Sequence, residues 1–81
     1  MEQRIRKIIK EELELQDKPD TLEKSQPLST LGLDSIIAIQ IVVALEAEFD
    51  IIIDDEDYDM DNFFNMENIC NLVRKYIEGN E

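Results

Sequence analysis

The sequence predicts an all-α fold, a small four-helix bundle with three longer helices and one short third helix. Three segments repeat their apolar residues at the helical period of 3.6, which is typical of amphipathic helices. With 43% hydrophobic residues at this spacing, the acidic chain is expected to fold rather than stay disordered. Its 81 residues are enough for one domain, residues 1–81, and too few for two.

The first helix is predicted over residues 3–16, where Ile5, Ile8, Ile9 and Leu13 share one stripe. Residues 17–33 contain both prolines and one of the two glycines and keep no sustained period, which indicates a long loop. Four leucines recur through this loop, and we expect them to pin it to the core: Leu22, Leu28, Leu31 and Leu33.

Asp34 is predicted to cap the central helix, because its carboxylate can accept hydrogen bonds from the free N–H groups of a first turn. The helix is expected to run to about Phe49. The β-branched run Ile51–Ile53 resembles a strand. No second strand is available to pair with it, so we expect an extended loop whose Ile53 fills the core.

The remaining residues predict one short and one long helix. Residues 54–64 are expected to form a short, irregular helix anchored by Tyr58, Phe63 and Phe64. Asn65 is predicted to cap the last helix, and Gly79 to end it. The predicted core face of that helix comprises Met66, Ile69, Cys70, Val73 and Ile77.

Charge and composition exclude several classes of function. Twenty acidic residues against eight basic ones give a net charge of −12, which disfavours nucleic acids and anionic membranes and favours basic partner proteins. The sequence has no histidine, the commonest general base and metal ligand. Its single cysteine, Cys70, cannot form an internal disulfide. With no signal peptide and no apolar run long enough for a bilayer, we expect a cytoplasmic protein.

The helix over residues 35–49 has two apolar faces. At 100° per residue one narrow arc holds Ala38, Ile41, Val42, Leu45 and Phe49, which predicts the core stripe. The opposite side carries Ile36, Val43 and Ala47 around Gln40. Either a second element covers this side, or it is an exposed docking surface rimmed by Glu46 and Glu48. We favour docking, with Ile36 and Val43 as contacts.

Residues 31–36 are Leu-Gly-Leu-Asp-Ser-Ile. The predicted helix that follows them ends with Leu-Glu-Ala-Glu-Phe at residues 45–49. This pattern, within an acidic chain of this length and helix order, resembles the acyl and peptidyl carrier proteins. The resemblance covers the whole chain and implies a non-catalytic carrier of the four-helix type. It implies that Ser35, preceded by Asp34, is the attachment point for 4′-phosphopantetheine.

By the same resemblance, a phosphopantetheinyl transferase adds the group from coenzyme A, and its thiol then holds acyl, polyketide or aminoacyl intermediates as thioesters. The implied partners are that transferase, an acyl- or aminoacyl-activating enzyme and downstream biosynthetic enzymes. We expect a monomer that binds neither nucleic acid nor membrane. The expected partner contacts lie on the central helix: Ile36, Ile37, Gln40, Val43, Glu46 and Ala47.

Three positions bear on the type of carrier. Fatty-acid carriers usually place acids shortly after the serine, where this chain has the uncharged Ile37 and Gln40. Leu33 also replaces the small residue that such carriers tend to have. These features favour polyketide or nonribosomal peptide assembly. The start at Met1 suggests a free-standing carrier, although an excised domain with an added methionine would look the same.

The same residues have alternative interpretations. A plain helix-start serine is the simplest alternative for Ser35, but Asp34 already meets the need for a cap. The acidic run over residues 54–61 suggests calcium, yet neither register supplies the turn glycine and bidentate glutamate of an EF-hand loop, so no metal site is predicted. Cys70 is expected in the core. The alternative function is an acidic helical adaptor that binds a basic protein without a prosthetic group.

Overall fold

Three α-helices make up the framework of the computed structural model, which describes residues 2–14 and 23–79. They are α1 (Glu2–Glu12), α2 (Ser35–Phe49) and α3 (Met66–Gly79). Three short 3₁₀ helices lie between them, at Leu28–Leu31, Asp55–Asp57 and Met60–Phe63. The described residues contain no strand. The prediction of an all-α fold is therefore confirmed.

Helix α1 is amphipathic, and its buried residues are Ile5, Ile8 and Ile9. It ends earlier than predicted. The N–H of Leu13 still reaches the carbonyl of Ile9 at 3.0 Å, but Glu14 adopts a left-handed backbone with φ 57°, which breaks the helical path. The last two residues of the predicted helix, 15 and 16, lie outside the described residues.

The second half of the predicted long loop contains a 3₁₀ helix that sequence periodicity did not indicate. Its Leu28 is fully buried, and Leu33 is buried as well. Leu31 packs partly buried against the same core, so three of the four leucines pin the segment as expected; Leu22 lies outside the described residues. The N–H of Leu28 donates to the carbonyl of Phe64 at 2.8 Å, which fixes this segment to the residues leading into α3.

Helix α2 begins and ends as predicted. Asp34 caps its first turn, and Phe49 is its last residue. The predicted core stripe is confirmed, since Ala38, Ile41, Val42 and Leu45 are buried and Phe49 is partly buried beside them. Asp50 ends the helix in a left-handed conformation with φ 55°, and its N–H donates to the carbonyl of Glu46.

Residues 51–64 run from α2 to α3 without a fourth α-helix. Ile53 fills the core as predicted, and Ile51 is buried with it. Two short 3₁₀ helices replace the predicted irregular helix, and of its three expected anchors only Phe63 is buried. Tyr58 and Phe64 are 42% and 50% exposed, so the prediction was wrong for both. Adjacent side chains on a helix point in different directions, and here Phe63 faces the core while Phe64 faces solvent.

Helix α3 completes the core. The Asn65 side chain accepts from the N–H of Asn68 at 2.8 Å, which confirms the predicted cap. Cys70 is buried as predicted, and burial raises the pKa of its thiol, as expected for an inert core cysteine. Ile77 is only partly buried, near the end of the helix. The buried residues of α3 are Met66, Ile69, Cys70, Leu72 and Val73.

Candidate functional site

Ser35 stands at the first position of α2 and is exposed. Its hydroxyl makes no hydrogen bond to any residue that the structure describes. The Oδ1 atom of Asp34 accepts from the N–H of Ile37 at 2.8 Å, so the cap is supplied by the preceding residue rather than by the serine. The Ser35 hydroxyl is therefore left available to an approaching enzyme.

Gly32 shapes the turn that presents this serine. It follows the first 3₁₀ helix with φ 101°, a conformation that side-chain-bearing residues rarely adopt. Its N–H donates to the carbonyl of Ser29 at 3.3 Å. A Cβ built on Gly32 would meet no atom within 4 Å, so backbone conformation rather than crowding explains the preference for glycine. The chain thereby turns from the 3₁₀ helix into α2 within a few residues.

The start of α2 suits a phosphate group attached to Ser35. The first turn of any helix leaves N–H groups without intrahelical partners. In the described chain the N–H groups of Ser35 and Ile36 have no acceptor, while that of Ala38 already donates to the carbonyl of Asp34 at 2.9 Å. Free N–H groups and the positive end of the helix dipole both favour a negative group at this position. The residues present therefore fit a phosphodiester on the serine oxygen.

An apolar surface runs along α2 away from Ser35, and we call it the α2 strip: Ile36, Ile39, Gln40, Val43 and Ala47. Its large side chains are well exposed, Ile36 at 66%, Ile39 at 51% and Val43 at 59%. Gln40 and Ala47 are exposed as well. No described element covers this side of the helix. Among the described residues, the structure therefore favours the exposed surface over burial by a second element.

Ile39 was missed by the sequence analysis. It lies about 60° from Ile36 on a helix of 100° per residue, and it fell between the two arcs that were considered. The available signal was a large apolar residue outside the predicted core arc.

Two of the expected partner contacts, Ile37 and Glu46, also make contacts within the domain. Ile37 is half-buried and packs against the core. Glu46 is also half-buried, and its carboxylate accepts from the N–H of Ile53 at 2.9 Å. Glu48, expected at the rim, is ion-paired with Arg4 at 2.6 Å. Both glutamates expected at the rim thus make polar contacts within the domain.

A small pocket of about 130 Å³ opens beside Ser35. One wall is formed by α2, and the other by the 3₁₀ segments that follow it. No motif pointed to this pocket, because its second wall comes from a segment whose side-chain directions could not be predicted. The lining residues besides Ser35 are apolar or aromatic: Ala38, Ile39, Val42, Tyr58, Met60 and Phe63.

The acidic segment does not converge on a metal site. Within residues 2–14 and 23–79 no group of three or more acidic or cysteine side chains is placed to hold a metal ion. Its carboxylates serve local contacts instead. Asp59 accepts from the N–H of Asp61 at 3.0 Å, and Asp57 pairs with Lys75 at 3.1 Å.

Comparisons with known proteins bear on this site. A protein-family profile described as a phosphopantetheine attachment site matches residues 3–73. An acyl carrier protein from Desulforapulum autotrophicum is 35% identical over 57 residues, which cover 70% of this chain and 74% of that protein. No solved structure matches. Among the described helices none is long and apolar enough to cross a membrane.

Proposed function

Because this chain belongs to the phosphopantetheine-attachment family of carrier proteins, we propose that Ser35 is the residue that bears the prosthetic group. The chain is a carrier and not an enzyme, and covalent 4′-phosphopantetheine is its cofactor. Carriers of this family work with a phosphopantetheinyl transferase and with biosynthetic enzymes. What the chain itself must provide is one accessible hydroxyl and a surface that those enzymes can bind.

The observation that carries the proposal for Ser35 is its exposed hydroxyl, free of hydrogen bonds within the described chain, at the start of a helix. The neighbouring N–H groups of Ser35 and Ile36 have no acceptor among the described residues, which favours a phosphate at that oxygen. Asp34 holds the first turn in place through the N–H of Ile37. We assign Asp34 the role of positioning Ser35.

The arm, once attached, supplies a thiol that carries an acyl, polyketide or aminoacyl group as a thioester. The protein supplies the surface that enzymes recognise. Tethering then raises the local concentration of the carried group at each docked enzyme. Ile37 and Gln40 stand where fatty-acid carriers usually have acids, which favours polyketide or nonribosomal peptide assembly as the pathway.

We propose the α2 strip as the surface that partner enzymes contact. Ile36, Ile39 and Val43 place exposed apolar area directly beyond Ser35, and contiguous exposed apolar area is typical of interaction sites. The net charge of −12 steers the carrier toward basic enzyme surfaces. The strip then supplies the short-range apolar contact.

The attachment is tested by incubating the purified protein with coenzyme A, magnesium and a promiscuous phosphopantetheinyl transferase, followed by intact-mass measurement. The wild-type chain is expected to gain one prosthetic group, and Ser35→Ala none. Ser29→Ala is the matched control. Ser29 is exposed like Ser35 but lies in the 3₁₀ helix before it, so its loss should leave loading unchanged. A wild-type chain that gains no mass would contradict the proposal and favour the adaptor without a prosthetic group.

A further inference from the structure

Within the fully described stretch 29–37, Leu33 is the only residue whose side chain is buried, at 7% exposure. The other residues of this stretch are exposed or half-buried, and Ser35 is among the exposed ones. The corner that presents Ser35 therefore has one fully buried anchor in the core. Because apolar burial supplies most of the stability of a fold, the position of this corner depends on that anchor.

The backbone around Leu33 forms a Schellman turn, a motif that ends many helices with a left-handed residue. Gly32 is that residue, with φ 101°. Its N–H donates to the carbonyl of Ser29 at 3.3 Å, and the N–H of Leu33 donates to the carbonyl of Leu28 at 3.2 Å. These are the two hydrogen bonds that define the motif. The turn ends the 3₁₀ helix and directs the chain toward α2.

An apolar contact frequently closes such a turn, between the residue after the left-handed one and the residue five positions before it. Here these two residues are Leu33 and Leu28. Both belong to the same core cluster, and Leu28 is fully buried. Truncating Leu33 would remove the apolar half of the motif and leave two backbone hydrogen bonds on an exposed corner. A segment with so few buried apolar contacts opens more readily than the helices.

Ser35 is held in place only through its neighbours. Its side chain is exposed, and its hydroxyl makes no hydrogen bond to any described residue. Asp34 accepts from the N–H of Ile37 at 2.8 Å, which fixes the first turn of α2. Leu33 fixes the incoming chain to the core. The two neighbours thus act differently, one on the helix that the serine opens and the other on the attachment of that corner to the domain.

We propose that Leu33 is a positioning residue for the reaction at Ser35, and that it acts by closing the turn against Leu28. This role rests on the proposed function, since Ser35 must be the residue that receives the prosthetic group. In that transfer the serine oxygen bonds to the phosphorus that bears the pantetheine arm. The bond from this phosphorus to the nucleotide part of coenzyme A breaks, and the hydroxyl proton is released. A fixed direction and distance of the oxygen accelerate such a step.

Single-turnover loading tests the role, with a promiscuous phosphopantetheinyl transferase in excess over the full-length chain and with coenzyme A and magnesium present. In Leu33→Ala we expect the maximal rate to fall about tenfold, within the roughly 10²-fold loss that a misplacement of about 1 Å can cause. The transferase concentration at half the maximal rate should stay unchanged, because the α2 strip is intact. Leu33→Met keeps a long apolar side chain and should restore the rate to within about twofold.

A purely structural role of Leu33 predicts a different result. Loss of global stability lowers the fraction of folded carrier, which raises the transferase concentration needed for half the maximal rate. The maximal rate itself is then unchanged. Leu72→Ala is the matched control, because Leu72 is also a buried leucine, at 5% exposure, but lies in α3. We expect this variant to keep the maximal rate of the wild-type chain.

Amide hydrogen exchange on the same unmodified proteins reports the turn directly. The N–H at position 33 donates within the turn, and that of Ile37 donates to Asp34. In Leu33→Ala we expect exchange at both positions to quicken by a larger factor than at Ile69 of α3, whose N–H donates to the carbonyl of Asn65. In Leu72→Ala the two corner amides should quicken no more than that of Ile69.

A wild-type maximal rate in folded Leu33→Ala would overturn the proposal, and so would an equal fall in Leu72→Ala. If Leu33→Ala does not fold, Leu33→Val takes its place with a smaller fall expected, and a wild-type rate in that variant overturns the proposal in the same way. A wild-type chain that takes up no prosthetic group contradicts the proposed function itself, and the positioning role falls with it.

Discussion

The cap on α2 allows the most direct test of how the sequence positions Ser35. In Asp34→Ala the hydrogen bond to the N–H of Ile37, 2.8 Å long, is lost. Loss of such a cap costs about 1 kcal/mol, with a range of about 0.5–2, and removing a carboxylate from the positive end of the helix adds about 0.3–1 kcal/mol. The expected loss in unfolding free energy is therefore about 1–2 kcal/mol. For a domain of this size each kcal/mol corresponds to about 4–8 °C in Tm.

Urea unfolding followed by circular dichroism measures this loss. Asp34→Asn is the matched variant, because its amide oxygen can accept the same hydrogen bond and only the charge is removed. We expect it to lose only the contribution of the charge, about 0.3–1 kcal/mol, and to keep the contribution of the hydrogen bond. Equal midpoints for Asp34→Ala and the wild-type chain would refute the role assigned to the cap. A loss as large in Asp34→Asn as in Asp34→Ala would show that charge rather than the hydrogen bond matters.

Three further outcomes are expected. Val43→Asp should weaken turnover by partner enzymes without loss of helical signal, because Val43 is exposed. Ile41→Asp, the control, should unfold the domain by placing a charge in the core. Unfolding by Val43→Asp would contradict the docking surface. Added salt or magnesium should raise Tm, since screening reduces self-repulsion at a net charge of −12. A salt-independent Tm would show that charge repulsion does not limit the stability of the fold. Because the pKa of Asp57 is lowered in the folded state, its stabilising contribution is complete above the ordinary aspartate pKa and is lost as the pH falls through the folded value. The Tyr76 hydroxyl donates to the Asp57 carboxylate. Carboxylate NMR titration should therefore show a low Asp57 midpoint that rises in Tyr76→Phe, and an unshifted midpoint would contradict this hydrogen bond.

The parts of the fold that the sequence predicted are those set by local chemistry. Asp34 and Asn65 are short polar side chains placed just before segments with helical apolar spacing, and both cap helices as expected. The core stripe of α2 followed from the helical period, because a surface helix buries the residues that recur on one arc.

The rest depended on contacts between distant residues. Glu46 accepts a hydrogen bond from Ile53, and Tyr76 bonds to Asp54 and Asp57; no local pattern encodes such pairings. The short 3₁₀ helices have a different period from α-helices, so the directions of Tyr58 and its neighbours could not be read from 100° steps. The pocket beside Ser35 therefore became visible only in the structure.

Site-resolved mass spectrometry of the loaded protein tests the central claim most directly. After reaction with the transferase and coenzyme A, fragment ions should place the added phosphopantetheine on Ser35, with Ser25 and Ser29 unmodified in the same molecules. Modification at either of those serines, or an unmodified Ser35 in protein that has gained the group, would contradict the account.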